Sequence, residues 1–243
     1  MTCPQCEHMP TNDNPSPSKA RRRAATDCGL YLKPGNTVSA AAASLKCLVA
    51  MAAMAACLVT GAHAATDTAR GEELVQAKCF ICHGANGESS SPAFPRLAGQ
   101  NAAYVVRQLG DYKAGKRKST TMQPMVEDLS ADDMKALGSF FAVQATQAHP
   151  VDDGDLAQVG KFIYQRGNPY AGVASCATCH GGDAHGTEAL PRLAGQHAQY
   201  TENQLKLFNK RERTNDNAVM HGIASKLSEL ELKAVAAYIS GLK

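Results

Sequence analysis

No tryptophan occurs in the 243 residues, and aromatic side chains together make up only 5% of the chain. A core so poor in rings must close around aliphatic side chains, or around an apolar group that the chain does not itself encode. Strand-like alternation is missing throughout, which excludes a sheet-based core. After Cys57 the only cysteines are Cys79, Cys82, Cys176 and Cys179. They stand in two short pairs, so the later chain is not a disulfide scaffold. A basic surface is missing as well. The formal net charge is +3, but the excess lies near the N-terminus, and from Ala65 onward acidic and basic side chains are equal in number. Nothing in that balance suggests a nucleic-acid-binding face, and no nucleic-acid partner is expected.

The N-terminal stretch reads as a leader rather than as fold. Lys46 precedes the apolar run Cys47 to Thr60, which is too short to span a bilayer. Ala62-His63-Ala64 forms an A-x-A cleavage site, so residues from about Val38 to Ala64 have the form of a secretory signal with a mature start near Ala65. Residues 1–37 are polar and long for a signal, as a start codon placed too far upstream would give; a genuine extended leader is the alternative. Cys3 and Cys6 lack a second ligand pair for zinc. Arg21-Arg22-Arg23 stands too far from the apolar run for a twin-arginine signal. Met54 to Cys57 is a weaker cleavage box than Ala62 to Ala64. Cleavage there removes all five early cysteines.

The remaining chain repeats itself. Aligning Cys79 on Cys176 brings Pro95-Arg96-Leu97-Ala98-Gly99-Gln100 onto Pro191-Arg192-Leu193-Ala194-Gly195-Gln196. The match continues through Tyr104 and Tyr200, Gln108 and Gln204, Met122 and Met220, and Ser130 and Ser228. Two homologous domains are expected, 65–149 and 150–243, after a leader at 1–64. The boundary falls where Pro150 and Asp152-Asp153-Gly154 break the periodicity. Each domain reads as three helices, making the fold all-α. The first helices cover Thr68 to Lys78 and Asp155 to Arg166, the middle ones Ala102 to Ala114 and Ala198 to Asn209. The last begin at capping boxes on Ser130 and Ser228.

Each cysteine pair opens a CxxCH motif, Cys79 to His83 and Cys176 to His180. Two thiols one helical turn apart can add to the two vinyl groups of a haem, and the adjacent histidine then faces the iron. Two covalently bound haem c groups are therefore expected, with His83 and His180 as proximal ligands. Met122 follows His83 by 39 residues and Met220 follows His180 by 40, and this matched spacing marks them as distal ligands. Met125 competes in the first domain only, because Ile223 stands at its counterpart. His/Met ligation closes the iron and suits electron transfer. The carbonyls of Pro95 and Pro191 are expected to accept the Nδ1 hydrogens of the two histidines. Arg96 and Arg192 are expected to pair with haem propionates. His149, His185, His197 and His221 read as structural or exposed. Lys113, Lys116, Arg117 and Lys118, echoed by Lys210, Arg211 and Arg213, read either as a docking patch for an acidic redox partner or as a solvated loop.

The residues Cys82 to Gly87, Phe94 to Gln100, Arg213 to Asp216 and the closing Ala236 to Lys243 resemble the periplasmic dihaem cytochromes c-four, over essentially the whole chain from Ala65. The resemblance implies two tandem class I cytochrome c domains about a pseudo-two-fold axis, with His83 and Met122, then His180 and Met220, on the irons. It implies a carrier passing electrons from a quinol-oxidising complex to a terminal oxidase or reductase, in the periplasm, either soluble or peripherally associated with the inner membrane. Two other readings fit the same residues: the dihaem subunit of a flavocytochrome c-type dehydrogenase, and a dihaem peroxidase. Matched methionines count against the peroxidase, which needs an open iron.

Overall fold

The computed structural model describes residues 67–147 and 149–243. The expected leader, its cleavage site and its cysteines lie outside the described residues. Helix α1 runs over 67–83, α2 over Ala102–Lys113, α3 over Met122–Val126 and α4 over Ala131–Ala142. The second repeat follows with α5 at Gly154–Arg166, α6 at Ala177–His180, α7 at Ala198–Asn209, α8 at Val219–Ala224 and α9 at Glu229–Ser240. The three long helices of each repeat lie where periodicity puts them. Among the described residues no strand forms; the closest approach is an isolated bridge between Asn168 and Val173. No described helix is long and apolar enough to cross a membrane.

Two separate cores hold the repeats together. One gathers Leu74, Val75, Val105, Val126, Leu137, Phe140 and Phe141, the other Ile163, Tyr164, Leu205, Phe208, Leu232, Val235 and Ile239. In each, the first and last helices cross at a glycine. A Cβ on Gly71 would sit 2.3 Å from the Ala136 carbonyl oxygen, and one on Gly160 would sit 1.9 Å from that of Ala234. Only a hydrogen at these positions lets the backbones approach so closely. Both last helices start at full capping boxes. Asp133 N–H donates to Ser130 Oγ at 3.0 Å while Ser130 N–H donates to the Asp133 carboxylate. Ser228 and Glu231 repeat the arrangement.

The repeats differ where the haem motif begins. In the first, α1 continues without a break into Cys79 to His83 through a π turn at Val75–Cys79, with Phe80 N–H donating to the Val75 carbonyl five residues back. In the second, α5 ends at Gly167, a loop follows, and the motif occupies its own short helix α6. Helices α3 and α8 come in addition to the three long helices of each repeat. They are too short for periodicity to register, and α3 carries Pro124 within its first turn, where a missing N–H costs little.

The two repeats meet through reciprocal bonds. Gln100 Nε2 donates to the Arg192 carbonyl at 2.9 Å while Arg192 N–H donates to Gln100 Oε1 at 2.7 Å. Gln196 brackets Arg96 in the same way, at 3.0 and 2.9 Å. An exchange in which equivalent residues swap partners is what a two-fold relation between equivalent surfaces produces. Asn101 Nδ2 adds bonds to the carbonyls of Thr187 and Leu190, and His197 Nε2 meets the Ser89 carbonyl at 2.8 Å.

Candidate functional site

In the first domain the turn Phe80–His83 ends at Gly84, whose φ of 78° stops the helix. This places His83 inward, 6% exposed, with its ring edge toward Phe94. Its Nδ1 lies 2.9 Å from the Pro95 carbonyl oxygen. In the second domain Gly181 ends α6 with φ 84°. His180 is 7% exposed, with Nδ1 3.4 Å from the Pro191 oxygen. A carbonyl can only accept, so each Nδ1 carries the hydrogen and each Nε2 keeps its lone pair. Burial pushes both imidazoles below their ordinary pKa, against the opposing pull of the carbonyls. Burial thus favours the neutral form of both rings, the form in which a histidine ligates a metal.

None of the four motif cysteines is in a disulfide. Burial raises the pKa of Cys79, and pushes that of Cys176 up to about 11. Met122 opens α3 and packs, half-buried, against the first core, with its N–H on Ser119 Oγ. Met125 is 43% exposed. Met220 lies in the first turn of α8 and packs against the second core beside Ile223.

Cys79, Cys82, His83, Met122 and Met125 all line one cavity of about 1210 Å³. That exceeds the about 300–1,000 Å³ of ordinary ligand pockets. Thiols, imidazole and thioether on one large cavity are the donor set that a covalently attached haem requires, so the residues fit the group. The cavity walls also include Tyr112 and Arg117 from the first repeat, and Tyr200, Gln204 and Arg213 from the second.

Arg96 and Arg192 occupy another place. Together with Glu88, Gln100 and Gln196 they line a pocket of about 10 Å³ between the repeats. Arg96 donates from Nη1 to the Gly195 carbonyl and lies 3.4 Å from the Glu88 carboxylate. The histidines outside the motifs make structural contacts: His221 Nδ1 meets the Phe208 carbonyl, His149 the Glu88 carboxylate and His185 the Lys243 carbonyl. The basic cluster divides. Lys116, Lys118, Lys210 and Arg211 are exposed, whereas Arg117 and Arg213 are buried between the repeats. Sequence reasoning passed over Gln100, Gln196, Gln108 and Gln204. Their recurrence in both repeats was the available signal.

An all-helical tandem with a proline-braced CxxCH histidine in each half defines a two-domain c-type cytochrome. The Cytochrome c family matches residues 68–163 and again 157–243. A cytochrome c4 of Azotobacter vinelandii is 39% identical over 198 residues, spanning 76% of this chain and 93% of that protein. The crystal structure of reduced recombinant cytochrome c4 from Pseudomonas stutzeri superposes with a TM-score of 0.69 at 35% identity, covering 72% of this chain and 98% of that one. A protein named thiosulfate dehydrogenase electron acceptor, from Stutzerimonas stutzeri, is 37% identical and covers 68% of this chain and 78% of its own. The chain belongs to the cytochrome c4 family: it is a dihaem electron carrier with two covalently attached haem c groups.

Proposed function

We propose that Cys79 and Cys82 hold one haem and Cys176 and Cys179 the other, with His83 and Met122, and His180 and Met220, as the axial ligands. Each haem, when bound, supplies a one-electron ferric/ferrous couple. The protein's own residues hold and shield it. Pro95 and Pro191 fix the two imidazoles through their carbonyls, and the apolar cores keep water from the site. The observation that carries this reading is the duplicated brace, a buried histidine with Nδ1 on the proline carbonyl in both repeats. Half-burial of Met122 against the core favours it over the exposed Met125. In this reading the domains are 65–149 and 150–243, released by cleavage near Ala64, and the protein works in the periplasm. There it carries electrons from a quinol-oxidising complex to a terminal oxidase or reductase, without catalysing a reaction of its own.

Redox titration of the exported protein, followed optically, tests the ligand assignment. Two haems should each show the weak near-infrared band of thioether-bound ferric iron. Met122→Ala should lose one band and Met125→Ala neither; the reverse pattern moves the ligand to Met125. A second reading has support in the relative named thiosulfate dehydrogenase electron acceptor. In it the donor is a dehydrogenase of a reduced sulfur compound. Reduction of the purified cytochrome by such an enzyme, faster than by a quinol-oxidising membrane fraction, would decide for it.

A further inference from the structure

The cavity that carries Cys79, Cys82 and His83 is lined by several cations, of which two are buried: Arg117 of the first repeat and Arg213 of the second, 6% and 9% exposed. Their bonds cross between the repeats. Arg117 donates from Nη1 to Gln108 Oε1 at 2.8 Å, and from Nη2 to Tyr200 OH and Gln204 Oε1, both at 2.9 Å. Arg213 donates from Nη1 to Gln204 Oε1 at 2.7 Å, and from Nη2 to Tyr104 OH and Gln108 Oε1, both at 3.1 Å. Its Nε meets Asn215 Oδ1 at 3.1 Å. The guanidinium carbons lie 4.7 Å from the Tyr112 ring centre for Arg117 and 4.5 Å from that of Phe208 for Arg213.

The acceptors in this set are amides and phenols, with no carboxylate among them, and the two arginines together pull the Tyr200 phenol below its ordinary pKa despite its burial. Among the described residues neither guanidinium is in an ion pair, and the nearest carboxylate in the network, Asp111, is reached only through Asn215 Nδ2. The two cations also share acceptors, since both bond Gln108 Oε1 and both bond Gln204 Oε1. Two like charges close together and out of water repel, and a buried charge without a counter-ion is costly. No side-chain carboxylate bonds either guanidinium here, but the group that fills the cavity brings its own. A haem carries two carboxylates, and bidentate guanidinium donors are well matched to them. Arg96 and Arg192 line a different, water-sized pocket and already face Glu88.

We propose that Arg117 and Arg213 form one cationic site, built by both repeats, that binds a carboxylate of the haem held at Cys79 and Cys82, and so places that haem's potential partly under the control of the second domain. The inference rests on the haem assignment above. A positive charge bound to a haem carboxylate disfavours the ferric state, so its loss should lower the potential. Because Arg213 belongs to the second repeat, removing it should act on the first haem across the interface.

The test is spectroelectrochemical titration of the holoprotein as R117Q, R213Q and R211Q, with haem content measured in each. Arg211 lines the same cavity but is exposed, so R211Q removes an equal charge in water. The expected result is two haems per chain, a clear fall in one midpoint potential in both R117Q and R213Q, and a smaller fall in R211Q. Potentials unmoved by R117Q and R213Q, or moved as far by R211Q, overturn the proposal. R117K, which keeps the charge but not the fork, guards against a variant that fails to fold. It should shift the haem carboxylate stretch in the oxidised-minus-reduced infrared spectrum, and an unchanged stretch counts against the site. Failure of the underlying haem assignment has a separate signature: C79A/C82A chains that still hold two haems.

Discussion

Asn217 and Ala218 both take left-handed backbone, with φ of 53° and 65°, directly before the helix that carries Met220. A left-handed residue bearing a Cβ is strained by about 1–2 kcal/mol. Asp216 maintains the turn: its carbonyl accepts from Val219 N–H and its carboxylate from Ala218 N–H and His221 N–H. Glycine at 218 removes the strain but adds freedom to the unfolded chain worth about 0.5–1 kcal/mol. Ala218→Gly should therefore raise stability by about 0.5–1 kcal/mol, read as a higher Tm in thermal unfolding of the holoprotein, with the near-infrared Met band unchanged. A lower Tm would mean that the turn is not under strain. At this scale the sequence is legible unevenly. The spacing from His180 draws attention to Met220, and Ile223 opposite Met125 is the sequence's reason for proposing Met122. Nothing about an alanine announces positive φ, because the conformation is imposed by Asp216 and the packing of α8.

The helices themselves are largely legible, since amphipathic periodicity and capping boxes are local properties. Ser130 with Asp133 and Ser228 with Glu231 can be picked out before any coordinates are known, and the bonds form as expected. The crossings are not legible. Gly71 and Gly160 have no side chain to enter a hydrophobic pattern, yet they set how closely the first and last helices of each domain approach. A methyl on Gly160 would meet the Ala234 carbonyl and the Tyr238 Cβ, so the helices must separate. Overpacking of this kind costs about 1–3 kcal/mol. Gly110 lies within α2 with nothing within 4 Å of its would-be Cβ, and there alanine should gain about 0.5–1 kcal/mol from helix propensity. Denaturant unfolding of Gly160→Ala and Gly110→Ala should thus give midpoints displaced in opposite directions. Equal displacements would show that the α5–α9 crossing is not set by the glycine.

At the scale of the whole molecule, the repeat is legible but its consequence is not. The stretch from Pro95 to Gln100 recurs from Pro191 to Gln196, and in sequence that identity marks common descent. In the structure the same residues are the contact itself. Each glutamine donates to and accepts from the backbone of the other repeat's arginine, a relation that no local pattern can express because partners lie 92 to 100 residues apart. The two domains have separate hydrophobic cores, so cooperative unfolding depends on this polar seam. Gln196→Ala leaves the Arg96 N–H and carbonyl without their partners, at a cost of about 1–3 kcal/mol for stranded polar groups. That cost falls on the interface and not on either core. Calorimetry of the holoprotein should then resolve two transitions in Gln196→Ala where the parent gives one, with both haems retained. Gln123→Ala, at an exposed position, should keep the single transition. One unchanged transition in Gln196→Ala would mean that the arginine–tyrosine network around Arg117 and Arg213 is enough to couple the domains without the glutamine exchange.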